Sequence, residues 1–316
     1  MPHLGGLLPD HPLGAGLDCG LLLYSRMLAI KHILFPVDFS ERTQATAPYV
    51  AAMARKFGAE VTLISVMQPF WEPTGGLLVP AGLPMLDLAL LESSLATRLS
   101  GALVSELAGI TVHRNAQLGD PAQTITQFAQ SEGVDLIMMP THGYGRFRAL
   151  LLGSVASKVL HDAECPVWTA AHTNEPASAG HVECRTILCA LDGTPKSVPV
   201  MEWAAEFAKF SKAKLRLVHA IGGMEAWPER QMNREFEEFL QQKARETIER
   251  QMQASNVRAP LCVSPGDIAA VVREEALRHN ADLVIIGRGL LDETLGRLRT
   301  NAYSIIRNSP CPVLSV

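Results

Sequence analysis

The chain repeats itself. The segment HILFPVDFSERTQATAPYVAAMARKFGAEVTLISVM, from His32, lies without a gap over TILCALDGTPKSVPVMEWAAEFAKFSKAKLRLVHAI, from Thr186. Ile33 meets Ile187, Asp38 meets Asp192, Val61 meets Leu215 and Leu63 meets Leu217. Further on, LGDPAQTITQFAQSEGVDLIMMP is echoed by PGDIAAVVREEALRHNADLVIIG, and CPVWTA by CPVLSV. The order of elements is kept throughout, so the chain is a tandem duplication of one folding unit. We place the first unit at 27–171 and the second at 185–316, with the polar, small-residue run HTNEPASAGHVEC at 172–184 as linker. A chain of 316 residues agrees with two domains of about 100–200 residues each. Residues 1–26 are Gly-, Pro- and Leu-rich, lack a basic signal-peptide start, and are expected to be a disordered tail or an upstream extension ahead of Met27.

Within a unit, strand and helix patterns alternate. ILFPV is a short apolar run. Val50, Met53, Ala54 and Phe57 then fall at i, i+3, i+4 and i+7, one face of a helix that starts close to Pro48 or kinks there. VTLISV is a second strand, and Leu88, Leu91, Leu95 and Leu99 mark a long amphipathic helix. TVHRNA follows as a strand, then a helix with Asp120 as N-cap and Pro121 in its first position. VDLIMM, a helix near Ser154 and PVWTA complete the unit; Phe236, Phe239, Leu240, Ala244 and Ile248 mark the long helix of the second. Near-continuous apolar strands alternating with helices predict an α/β fold: two tandem doubly wound domains, each a mostly parallel five-stranded sheet with helices on both faces.

Composition excludes several classes. A net charge of −4 gives no support to nucleic-acid or anionic-membrane binding, and the 47% hydrophobic, 19% charged balance is that of a globular protein. No run reaches the ~18–20 apolar residues of a membrane span. The cysteines form no C-x-x-C pair and no zinc spacing, so reduced thiols in a cytoplasmic protein are expected, with no metal site. Arg288, Arg297, Arg299 and Arg307 read as a solvated face.

Ligands of such sheets sit beyond the carboxyl ends of the strands. That rule gathers Asp38 after strand one, Val66 after strand two, and PTHGYGRFRALLLGS, Pro140 to Ser154, after strand four. An adenine would stack against Val66 with Asp38 on the base or sugar, and phosphates would face the amides of Gly143 and of the Gly153–Ser154 helix start. The Ser154 hydroxyl either donates to phosphate or caps its helix. His142 lacks the partner a general base needs, so no catalytic residue is assigned. The stretch from Met67 to Pro84, with Phe70 and Trp71, reads as a lid, a partner surface or packing over the long helix.

On these residues the chain resembles a tandem universal stress protein from Lys31 to Val316. FPVDFS, GDPA and P-T-H-G-x9-G-S carry the likeness, the last matching the family's ATP-binding pattern G-x2-G-x9-G-[ST] with Pro140 at the first glycine. The resemblance implies ATP, taken with Mg²⁺, as ligand. Pro36, Val37, Asp38 and Val66 would surround the adenosine, and Met139, Pro140, His142, Gly143, Gly153, Ser154 and Val155 would line the phosphate side. Pro140 removes one amide at the strand end and reshapes the site without abolishing it. In the second unit Gly287 remains, but Leu290 and Thr300 (or Arg299) replace the other glycines, so that unit is expected to bind ATP poorly or not at all. The resemblance also implies that PVWTA and PVLSV join the units as an internal pseudo-dimer; a homodimer and protein partners remain open. Three readings stand: an ATP-binding stress-response regulator, a nucleotide-free dimeric signalling module, and an enzyme. Neither a kinase, a P-loop nor an S-G-G-x-D-S motif supports the third, and slow ATP hydrolysis would only accompany binding.

Overall fold

The computed structural model describes residues 30–68, 88–142, 152–171, 183–222, 234–288 and 300–316. The first half runs β1 (His32–Pro36), α1 (Glu41–Phe57), β2 (Glu60–Met67), α2 (Leu88–Ser100), β3 (Val112–Leu118), α3 (Pro121–Ser131), β4 (Leu136–Met139), α4 (Ser154–Asp162) and β5 (Val167–Thr169). The second repeats the order as β6 (Thr186–Leu191), α5 (Ser197–Ser211), β7 (Lys214–Ile221), α6 (Arg234–Ala254), β8 (Leu261–Pro265), α7 (Ile268–Arg278), β9 (Leu283–Ile286), α8 (Thr300–Asn308) and β10 (Val313–Ser315).

The two five-stranded halves fuse into one ten-stranded sheet, ordered β3-β2-β1-β4-β5-β10-β9-β6-β7-β8. Neighbours within each half are parallel. At the centre β5 and β10 run antiparallel, with Leu314 opposite Trp168. The short last strands therefore stay in their own halves and meet edge to edge. Pairing them covers one edge strand of each half, and leaves β3 and β8 as the edges of the joint sheet.

Alternation along the strands sorts side chains onto two faces. Ile33, Phe35, Val61, Leu63, Leu136, Met138 and Trp168 pack with α1, α2 and their counterparts α5 and α6. Leu34, Ile64, Ile137, Met139 and Val167 pack with α3, α4, α7 and α8. Both cores cross the junction. Each fully buried Leu, Ile or Phe contributes about 1.5–3 kcal/mol, so the two-faced sheet is the main source of stability.

Three helix expectations are refined. Helix α1 begins at Glu41 behind the N-cap Ser40, whose side chain accepts from Thr43 N, so Pro48 sits inside it rather than near its start. In α2 only Leu95 and Leu99 are buried, and Leu88 is exposed. In α6 Ile248 is fully buried, but Phe239 stands 54% exposed. Asp120 caps α3 through Gln123 N, and Pro121 holds its first turn, as the sequence predicts.

An aspartate before β4 ties each half together. Asp135 Oδ2 accepts from the amides of Lys31 (2.8 Å) and His32 (3.0 Å). Asp282 Oδ2 does the same for Arg185 and Thr186, each at 2.8 Å. These carboxylates pin the start of the first strand of each half to the strand beside it. The repeat contains them as VDL and ADL, and their shared position is the signal that sequence reading passed over.

Candidate functional site

Strand register carries most of the expected residues to one end of the sheet. Pro36 pairs with Ile64, Val37 N donates to Ile64 O at 2.8 Å, and Ser65 Oγ donates to Val37 O at 2.8 Å. Asp38 thus comes level with Val66. On the other side Leu34 pairs with Ile137, which sets Pro36 level with Met139 and sends Pro140, Thr141 and His142 past the same edge.

Asp38 is exposed, and one of its oxygens organises the loop. Its Oδ1 accepts from Ser40 N (2.9 Å), Ser40 Oγ (2.6 Å) and Thr43 Oγ1 (2.6 Å). Asp192 Oδ1 repeats the pattern with Thr194 N, Thr194 Oγ1 and Ser197 Oγ at 2.9, 2.7 and 2.8 Å. The aspartate therefore shapes the turn into the first helix of each half. Between them, Phe39 holds φ +63° where the second half has Gly193 at +77°. A left-handed phenylalanine costs roughly 1–2 kcal/mol, and the Arg98 guanidinium lies over its ring at 4.0 Å.

The phosphate-side residues divide. Met139, Pro140 and His142 are buried, with Met139 in the core and Val66 and Val155 packed against it. Thr141 Oγ1 and His142 Nδ1 lie 3.1 Å apart. Gly153 is the N-cap of α4, and Ser154 is its first helical residue, exposed. The capping role considered for Ser154 is thus taken by Gly153, which has no side chain with which to cap. Gly153 N donates to Thr141 O at 2.9 Å, and a Cβ on it would stand 3.2 Å from that oxygen and from His142 Cα. Close approach of these two segments requires the glycine. Gly143 lies outside the described residues, as do Leu290 and the Phe70–Trp71 segment.

The GDPA aspartate is accounted for by structure. Asp120 Oδ1 accepts from Gln123 N at 2.8 Å and lies 3.2 Å from Lys158 Nζ on α4. The Gln123 amide chiefly holds this carboxyl below its ordinary range; burial opposes it, and Lys158 adds to the lowering. Arg288 departs from the solvated face expected of it. Its guanidinium donates to the carbonyls of Ala163, Glu164 and Cys165, just past α4, at 2.6, 3.3 and 2.7 Å. Arg307 is exposed; Arg297 and Arg299 lie outside the described residues.

A model of the universal stress protein family matches the chain twice, over residues 29–170 and 183–316. The chain belongs to the universal stress protein family. Universal stress protein MJ0531 of Methanocaldococcus jannaschii is 32% identical over 137 residues, 43% of this chain and 79% of that one. A Thermus aquaticus universal stress protein is 33% identical over 138 residues, 43% of this chain and 96% of that one. A universal stress protein from Archaeoglobus fulgidus, solved by crystallography, shares the fold across both units with a TM-score of 0.63. It covers 91% of this chain and 97% of its own at 21% identity. Among the described residues of this universal stress protein, no helix is long and apolar enough to cross a membrane.

Proposed function

We propose that this universal stress protein binds an adenine nucleotide, ATP with Mg²⁺, in its first unit and acts as a stress-response regulator through that occupancy. One observation carries the reading: α4 starts at a glycine cap with no side-chain acceptor, beside the strand ends that bring Asp38 and Val66 level. The first amides of a helix are anion-binding groups, and here no cap side chain competes for them. The exposed Ser154 hydroxyl adds a donor at the same place. Pro36, Val37, Asp38 and Val66 would hold the adenosine. The chain from Met139 through His142 and Gly143, with Gly153, Ser154 and Val155, would hold the phosphates. The metal would arrive with them and reduce their charge. No catalytic residue is assigned.

Replacing Ser154 with Asp tests this cleanly. An acid in the first helical turn favours the helix dipole, so the fold should be kept or slightly stabilised by about 0.3–1 kcal/mol. The same charge would repel phosphate and weaken Mg-ATP binding by about tenfold or more, read by calorimetry. Wild-type affinity in that variant would place the phosphates elsewhere. The second reading, a nucleotide-free interaction module, draws on the Asp38 Oδ1 bonds, which explain that residue as a loop organiser without a ligand.

A further inference from the structure

We infer that the first unit carries a further small-molecule site, on the α1–α2 side of its sheet, suited to a small monocarboxylate with an apolar body. A cavity of about 450 Å³ lies between the turn after β1 and the chain that follows α2. Small-molecule sites span about 300–1,000 Å³. Val37, Phe39, Leu103 and Val104 give its apolar lining, and Thr43, Gln44, Arg98 and Glu106 are among its polar groups. Val37 and Leu103 belong to the core on the α1–α2 side, whereas Val66, Met139 and Val155 lie on the α3–α4 side. Val37 alone is shared with the proposed nucleotide residues, and the inference does not rest on nucleotide binding.

The repeat supplies the comparison. In the second unit α6 runs unbroken from Arg234 to Ala254. There Gln251 Nε2 donates to Gly193 O (3.2 Å) and Thr194 O (3.0 Å), tying the helix to the turn after β6. In the first unit α2 stops at Ser100, and the chain continues to Ile110 in turns. Arg114 on β3 fixes the break, its Nε donating to Leu99 O at 3.1 Å and its Nη2 to Ala102 O at 3.2 Å. Leu103 then holds φ +54°, and Phe39, on the turn after β1, holds +63°. Two non-glycine residues in left-handed backbone thus line one cavity, and such strain gathers at ligand sites.

Arg98 sets the charge of the ligand. Its guanidinium lies over the Phe39 ring at 4.0 Å. Stacking uses the face of the group and leaves its in-plane N–H fork for a carboxylate. Glu106 is the acid of the lining among the described residues, and its Oε2 accepts from Ser105 Oγ at 2.8 Å. One cation against one anion suits a single negative charge and leaves a polyphosphate without the cations it needs. The apolar lining takes the rest of the molecule out of water.

Phenylacetate is the probe, titrated into the full chain and followed by its own NMR signals, with phenylacetamide as its uncharged counterpart. We expect saturable binding of phenylacetate, about tenfold or more tighter than that of the amide and weakened as much by Arg98→Gln. Arg307→Gln, which removes another exposed cation, should change it less than about twofold. A side chain on Gly101 starts in open space at the cavity wall, so Gly101→Trp fills the cavity and should weaken binding about as much as Arg98→Gln. It serves if Arg98→Gln fails to fold, as judged by circular dichroism. No saturable binding to folded wild type overturns the inference. So does equal binding of the amide, or binding that Arg98→Gln and Gly101→Trp both leave intact.

Discussion

Burial pushes the thiols of Cys165 and Cys184 up to about 11 and that of Cys311 to about 12, and it raises the fully buried Cys189 further still. Unfolded thiols ionise near pH 8.5. With native pKa values raised, the stabilisation is complete below about pH 8.5 and is lost as pH rises toward the folded values. The thermal midpoint should therefore fall between about pH 8.5 and pH 10.5, and less steeply in Cys165→Ala and Cys184→Ala. An unchanged slope in both variants would mean those thiols do not contribute. Spacing alone told that the cysteines form no C-x-x-C pair or zinc pattern, but not that burial encloses Cys189 and Cys311. Arg288 was not legible, because its acceptors lie 123 to 125 residues away in the other unit. Asp38 was legible as a residue of the strand end. Its three local donors were hidden in the ordinary-looking run FSERT.

At the scale of elements, strands were read better than helices. Apolar runs such as VDLIMM admit one burial pattern, whereas heptad-like leucines in α2 leave the buried turn to be chosen by tertiary packing. Leu95 and Leu99 are buried, Leu99 in the core against the sheet, while Leu88 is exposed. Pro48 is the clearest misfit of sequence with element. It lacks the amide that would bond Gln44 O, yet α1 continues through it from Glu41 to Phe57. Pro48→Ala should stabilise the chain, by about 1–3 kcal/mol, read as an increase in denaturation free energy. A loss of stability would show that the ring's own packing outweighs the missing bond. The N-terminus of α4 was located correctly, but Ser154 was read as either its cap or a phosphate donor. Gly153 takes the cap position instead, with extended backbone and its carbonyl accepting from Ser157 N at 2.8 Å.

For the molecule as a whole, the repeat predicts two similar halves but not how they meet. Three contacts make the junction continuous. They are the β5–β10 ladder, the Phe57 ring at 4.5 Å from Phe210 and 6.0 Å from Phe207, and the Tyr303 hydroxyl donating to Ser157 O at 3.0 Å. Arg288 adds its clamp on the carbonyls beyond α4. Lysine cannot reproduce three bonds from one planar group, so Arg288→Lys should cost about 1.5–3 kcal/mol and lower the single unfolding transition by several degrees. Two separated transitions in the wild type would contradict a shared core. The central claim is that one half of this duplicated fold takes a nucleotide in solution. Calorimetric titration of nucleotide-stripped protein with Mg-ATP addresses it most directly. One nucleotide per chain is expected, with a stabilisation of about 2.7 kcal/mol at a hundredfold excess over Kd. Two per chain would contradict the silent second unit, and none, from folded protein, would contradict the nucleotide reading itself.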